Sequence, residues 1–138
     1  MNREIEFRAW LKKEKRMIDV LSIEFDAKLI VFYKQDEEYE DVIRTTFAPF
    51  DQIELIQYTG IKDKNGVEIY EGDILKHFKG NIYIVEFHNG AFKLLRYNPY
   101  KGIPIAYYSF NTFYDMGNMN ELEVIGNIYE NPELLEKK

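Results

Sequence analysis

The chain is predicted to be mainly β: hairpins curled into a small barrel, preceded by a layer of strands and followed by a short helix. Three observations carry this. Apolar residues recur at period two in a series of short runs. Asn-Gly pairs stand between apolar runs twice, at Asn65-Gly66 and Asn89-Gly90. A helix start signal occurs only near the end, at Asn131-Pro132.

Taken in order, "EIEFRA" puts Ile5, Phe7 and Ala9 on one face of a first strand. After the charged turn "LKKEKR", the run "MIDVLSIEF" aligns Met17, Leu21, Ile23 and Phe25, which predicts a hairpin with the first strand. "LIVFY" at 29–33 is β-branched and aromatic, hence a third strand. The cluster "KQDEEYED" is a solvated, charged loop. These segments form an N-terminal β-rich extension, residues 1–52, ahead of a barrel domain at 53–138.

In the barrel domain, Asn65-Gly66 joins "LIQYTGI" to "VEIYEGDIL", and Asn89-Gly90 joins "NIYIVEFH" to "AFKLLRY". A type I′ turn needs positive φ at both central residues, which Asn and Gly adopt at little steric cost. A two-residue loop at Asn89-Gly90 sets Glu86 across from Lys93 and Ile84 across from Leu95. The other face then carries Tyr83, Val85, Phe87, Phe92 and Leu94. With both faces largely apolar, this hairpin needs cover on two sides: a barrel interior on one and a further layer or subunit on the other. At the end, "NPELLEKK" reads as a short helix with Asn131 as N-cap, Pro132 in its first turn, and Lys137 and Lys138 in its last.

The chain has 138 residues, 46% hydrophobic and 16% aromatic, enough for a core without metal or disulfide staples. With no cysteine, disulfides and thiolate sites are excluded, and a reducing cytoplasm is the expected setting. The charged start "MNREIEFRAW" lacks the apolar core of a signal peptide, and no apolar run is long enough to span a membrane. Net charge is −6 and unevenly spread: residues 36–75 carry three basic groups against eleven acidic, whereas 76–101 carry five against one.

The stretch "TGIKDKNGVEIYEGDIL" looks like a calcium loop. An EF-hand loop with Gly66 at its sixth position would place Ile61 at the first and Gly72 at the twelfth. Neither supplies a side-chain oxygen, and the flanks are strands, so the stretch is a hairpin turn. The two histidines, His77 and His88, fall far apart along the predicted ladder and cannot share a metal. Ser22 and Ser109 sit in no nucleophile elbow, and no P-loop or His-Glu-x-x-His pattern occurs. Among the carboxylates, Asp73 and Glu86 fall nearly opposite each other in the same register, unless Gly72-Asp73 forms a bend. No catalytic, cofactor or metal residue is assigned, and the chain is expected not to be an enzyme.

"EFRAWLKKEKRM", "QYTGIKDKNGVEIYEGDIL" and the ending "EVIGNIYENPELL" together closely resemble the YopX family, small proteins encoded by phages and prophages. The resemblance touches both ends and the middle of the chain. It implies a β-rich fold with an SH3-like barrel, homo-oligomeric assembly, and the cytoplasm of a bacterial host. It carries over no catalytic or binding residue.

Two interaction surfaces remain as candidates. Lys76, Lys79, Lys93, Arg96 and Lys101 are interleaved with aromatics in a way that suits single-stranded nucleic acid, against the repulsion of the acidic neighbouring segment. The segment "YNPYKGIPIAYYSFNTFY" offers Tyr100, Tyr107, Tyr108, Phe113 and Tyr114 as an interface between copies or with a host or phage protein. In an extended chain one member of each adjacent aromatic pair faces away from the barrel. The expectation is a phage or prophage accessory protein that binds protein, with nucleic-acid binding as the alternative.

Overall fold

The computed structural model describes residues 4–114 and 121–136. The described chain is built almost wholly of strands and falls into two compact units, Ile5–Gln57 and one containing Tyr58–Lys138. The division lies inside a continuous ten-residue strand, rather than at 52/53 where the sequence places it.

In the first unit, β1 (Phe7–Leu11) pairs with β2 (Arg16–Asp19) on one side and with the Ile53–Gln57 part of β6 (Ile53–Lys62) on the other. β3 (Ser22–Glu24), β4 (Leu29–Gln35) and β5 (Ile43–Pro49) form a separate antiparallel sheet in that order. The core gathers Ala9, Leu11, Ile18, Ile30, Phe32, Ala48 and Ile53.

The run expected as one strand at 17–25 therefore breaks into β2 and β3, and the alternation shifts by one. Ile18 faces the core opposite Ala9, while Leu21 and Phe25 are exposed. β5 carries its large apolar residues, Ile43 and Phe47, on the exposed face and turns Thr46 and Ala48 inward, so no apolar face for the core marks it in the sequence. Packing against β4 makes it a strand where period two does not.

The second unit contains β7 (Glu68–Tyr70), β8 (Asp73–His77), β9 (Ile82–His88), β10 (Ala91–Asn98), β11 (Ile103–Ser109), a single helical turn α1 (Asn111–Tyr114) and β12 (Leu122–Asn127). Five strands make one antiparallel sheet in the order β11-β10-β9-β8-β12. It curls as a half-barrel, the small-barrel fold, around Ile69, Leu75, Tyr83, Val85, Leu94, Phe110 and Leu122. The β9–β10 hairpin has the predicted register, Glu86 opposite Lys93 and Ile84 opposite Leu95. Asn89 (φ 50°) and Gly90 (φ 84°) form its two-residue turn. Its second face is also covered at Ile82 and Ile84, but Phe87, near the tip, is 58% exposed instead of lining the interior.

The Asn65-Gly66 turn is of another kind. Gly66 has φ 78°, but Asn65 is not left-handed. The N–H of Gly66 donates to the carbonyl of Asp63, and that of Asp63 to the carbonyl of Val67. This is a three-residue loop, a type I turn closed by a left-handed glycine. At the end of the chain the predicted short helix is the 3₁₀ helix Pro132–Leu135, with Asn131 at its N-cap position and Pro132 in its first turn, though the Asn131 side chain makes no cap bond. Lys137 and Lys138 lie outside the described residues.

Candidate functional site

The calcium-loop look-alike is a bracket made of backbone. Asp63 is 6% exposed, and its carboxylate is saturated by amides. Oδ1 accepts from the N–H groups of Asn65 (2.8 Å) and Val67 (2.9 Å), and Oδ2 accepts from that of Val124 (2.9 Å) on β12. An acid with both oxygens committed to main-chain donors is a structural clasp. The same end of β12 is held twice more, by the Lys64 N–H to the Leu122 carbonyl and by the Lys64–Glu123 ion pair at 3.7 Å.

The rest of the stretch works in the same way. Thr59 donates its hydroxyl to the Ile69 carbonyl at 2.7 Å across a bulge in β6. Asp73, 4% exposed, accepts the Tyr70 N–H at 2.8 Å and so closes the bend between β7 and β8. Gly72 donates to the Val85 carbonyl and accepts from the Ile128 N–H, joining the bend to the C-terminal segment. There Asn127 Oδ1 accepts from the N–H groups of Tyr129 and Glu130, and Asn131 Oδ1 from that of Asn127. Two of the three stretches that carry the family resemblance are thus bonded to each other. Asp73 and Glu86 do not face one another: Glu86 instead accepts the Tyr107 hydroxyl at 2.9 Å.

The histidines are also engaged. His77 is buried, with Nε2 2.7 Å from a Glu121 carboxylate oxygen and Nδ1 accepting the Lys79 N–H at 3.2 Å. That pairing makes Nε2 the protonated nitrogen and leaves no free lone pair for a general base. His88 stacks flat on Tyr107, the rings 3.9 Å apart and 6° from parallel. The Tyr107 phenol is held above its ordinary pKa, chiefly by its hydrogen bond to Glu86. Burial raises the Tyr83 phenol likewise, against the opposing charge of Arg96.

The candidate nucleic-acid residues do not converge. Lys79 lies over the exposed Phe78 ring at 5.8 Å, and Arg96 reaches Asn81 at 3.3 Å. Lys93 faces Glu86 across the hairpin, Lys76 is exposed on β8, and Lys101 sits in the β10–β11 turn. Lys93 and Arg96 stand on opposite faces of β10, as their spacing dictates.

The aromatic segment divides as the alternation predicts. Tyr108 turns inward against Tyr83, edge to face at 6.1 Å, and Tyr107 turns outward. Phe113 also packs on Tyr83, at 5.4 Å, so Tyr108 and Phe113 belong to the core rather than to an outer surface. The Tyr114 side chain lies outside the described residues. What remains outside is β11 itself, the terminal strand of its sheet. Ile103 (49%), Ile105 (51%) and Tyr107 (39%) are exposed along it, next to Tyr100. The sequence pointed to the tyrosines and missed the isoleucines. Their signal was the alternation in "GIPIAYY".

Among solved structures, the chain is similar to "Crystal structure of protein EF1440 from Enterococcus faecalis". The identity is 27% and the TM-score 0.61, over 98% of this chain and 100% of that one. Among curated proteins none matches. The family model described as YopX protein matches residues 6–136, nearly the whole chain, and the protein belongs to the YopX family.

Proposed function

We propose that the protein is a non-catalytic binding module that assembles with copies of itself through the open edge of β11. The phage or prophage origin and the cytoplasmic setting follow the family resemblance drawn from its sequence. One observation carries the reading: a seven-residue terminal strand with six exposed residues and apolar side chains at Ile103, Ile105 and Tyr107. Uncovered edges of this kind pair with other chains unless charge or proline blunts them. β11 has no charged residue, and Pro104 is its only blunting feature.

The Glu86–Tyr107–His88 cluster holds one ring of the patch in place, which lowers the entropy lost when a partner covers it. Against catalysis stand the committed lone pairs of His77, Asp63 and Asp73. Among the described residues, no helix is long and apolar enough to cross a membrane.

Light scattering tests the reading. The expected mass is a multiple of the 16.5 kDa chain, collapsing to the monomer in an Ile105→Lys, Tyr107→Lys double variant that keeps its circular dichroism spectrum. A monomer of the unaltered protein at high concentration overturns it.

A further inference from the structure

The first unit holds a cleft that the proposed assembly does not use. On the inner side of the β4–β5 pair, Phe32 stands across from Thr46 and Ile30 across from Ala48. The β1–β2 turn borders them, and the two define an open cleft of about 110 Å³. At about 30 Å³ per water molecule, that is room for a carboxylate and a few methyl groups.

Its lining has two parts. Leu11, Phe32 and Ala48, all buried core residues, make an apolar floor. Lys13, Lys34, Thr46 and Gln52 bring two ammonium groups, a hydroxyl and an amide to the rim. Glu14 lines it too, so the basic groups outnumber the acid by two to one.

The side chains of Lys13, Thr46 and Gln52 have no hydrogen bond or ion pair among the described residues, and Lys34 makes only a 3.8 Å exposed pair with Glu37. A larger neighbouring cleft of about 270 Å³ shares Lys34 and Thr46 with it. There Arg44 bonds to Asp36 at 3.2 Å, and Gln35 donates to the carbonyls of Tyr39, Glu40 and Val42. Arg44, Asp36 and Gln35, which belong to the larger cleft alone, are thus engaged. The smaller cleft is the one that sets uncommitted donors over an apolar floor.

We propose that this cleft binds a carboxylate carried on a short branched apolar group. The apolar group lies on Leu11, Phe32 and Ala48, and the carboxylate accepts from Lys13, Lys34 and the Thr46 hydroxyl. A free short-chain acid and the C-terminal residue of a peptide share this chemistry.

Amide NMR spectra of the full chain distinguish them. The titrants are 3-methylbutanoate, its neutral amide, a peptide ending in leucine, and the same peptide C-terminally amidated. The proposal expects saturable shifts at Phe32, Thr46, Ala48 and Gln52 with a free carboxylate, and none with either amide.

Lys13→Gln and Thr46→Val each weaken binding by about fivefold, the scale of one exposed polar contact. Arg44→Gln, at a residue that lines only the larger cleft, leaves it unchanged. Dispersion of the same spectra shows whether each variant is folded. Binding of the free acid as tightly as the peptide assigns a small-molecule ligand, and tighter binding of the peptide assigns a chain end. No saturable shift with either carboxylate up to about 10 mM, or equal shifts with the amides, overturns the site; that range covers the affinity so small a ligand reaches.

Discussion

The two units are held together by different means. In the Tyr58 onward unit, buried or half-buried polar side chains bond to backbone groups at Thr59, Asp63, Asp73 and Asn127. Asp63 spans 61 residues in sequence to reach Val124. In the Ile5–Gln57 unit, the side-chain hydrogen bonds at Lys12, Ser22, Gln35 and Asp36 are exposed, and burial of Ala9, Ile30 and their neighbours supplies the cohesion. Directional bonds in a low dielectric specify one arrangement, whereas apolar contacts tolerate several. The barrel unit should therefore fail at single polar atoms, and the first unit should not.

Substitutions test the contrast in order of expected effect. Asp63→Ala leaves three amides without their acceptor and should destabilise by about 3 kcal/mol or more. Trp10, the only tryptophan, sits in β1 and reports the first unit by fluorescence, while amide exchange in β8 and β9 reports the second. Loss of protection in β8 and β9 with an unmoved Trp10 transition supports the contrast, and a joint shift of both breaks it.

Gly72→Val should cost about 2 kcal/mol or more, because Gly72 combines φ 86° with a Cβ position only 2.9 Å from the Tyr129 ring. Gly66→Val meets open space and carries backbone strain alone, about 1 kcal/mol. Equal melting points for these two variants would show that packing against Tyr129 is not what Gly72 serves. Arg44→Ala in the first unit removes an ion pair whose Arg side chain is 65% exposed, and should change stability by less than about 0.5 kcal/mol. A larger loss would mean that the first unit also depends on directed polar bonds.

Legibility followed the reach of each interaction. The β9–β10 register was readable because a two-residue turn fixes every later pair from local chemistry. The Asn65-Gly66 turn was readable as a turn but not in its type. Asp63 pulls the loop into a three-residue form, and its third bond goes to a strand near the other end of the chain. Asn131 takes the N-cap position its sequence signal predicts, but its oxygen is taken by the Asn127 amide and caps nothing. That one of Tyr107 and Tyr108 turns outward followed from alternation, but which one did not. The inward course of Phe113 did not, since it depends on where the Tyr83 ring lies.

The sequence by itself determined the β class, the positions of the main turns, the inner and outer faces of the β9–β10 hairpin, and the family. These rest on φ preferences and on period two, which act within a few residues. Only the tertiary structure decided that the 17–25 run splits, that β5 exists, that β6 passes from one unit to the other, and that β11 is the terminal strand of its sheet. Each of those depends on which neighbour supplies hydrogen bonds and covers apolar surface, and such neighbours are tens of residues away, beyond the reach of any local pattern.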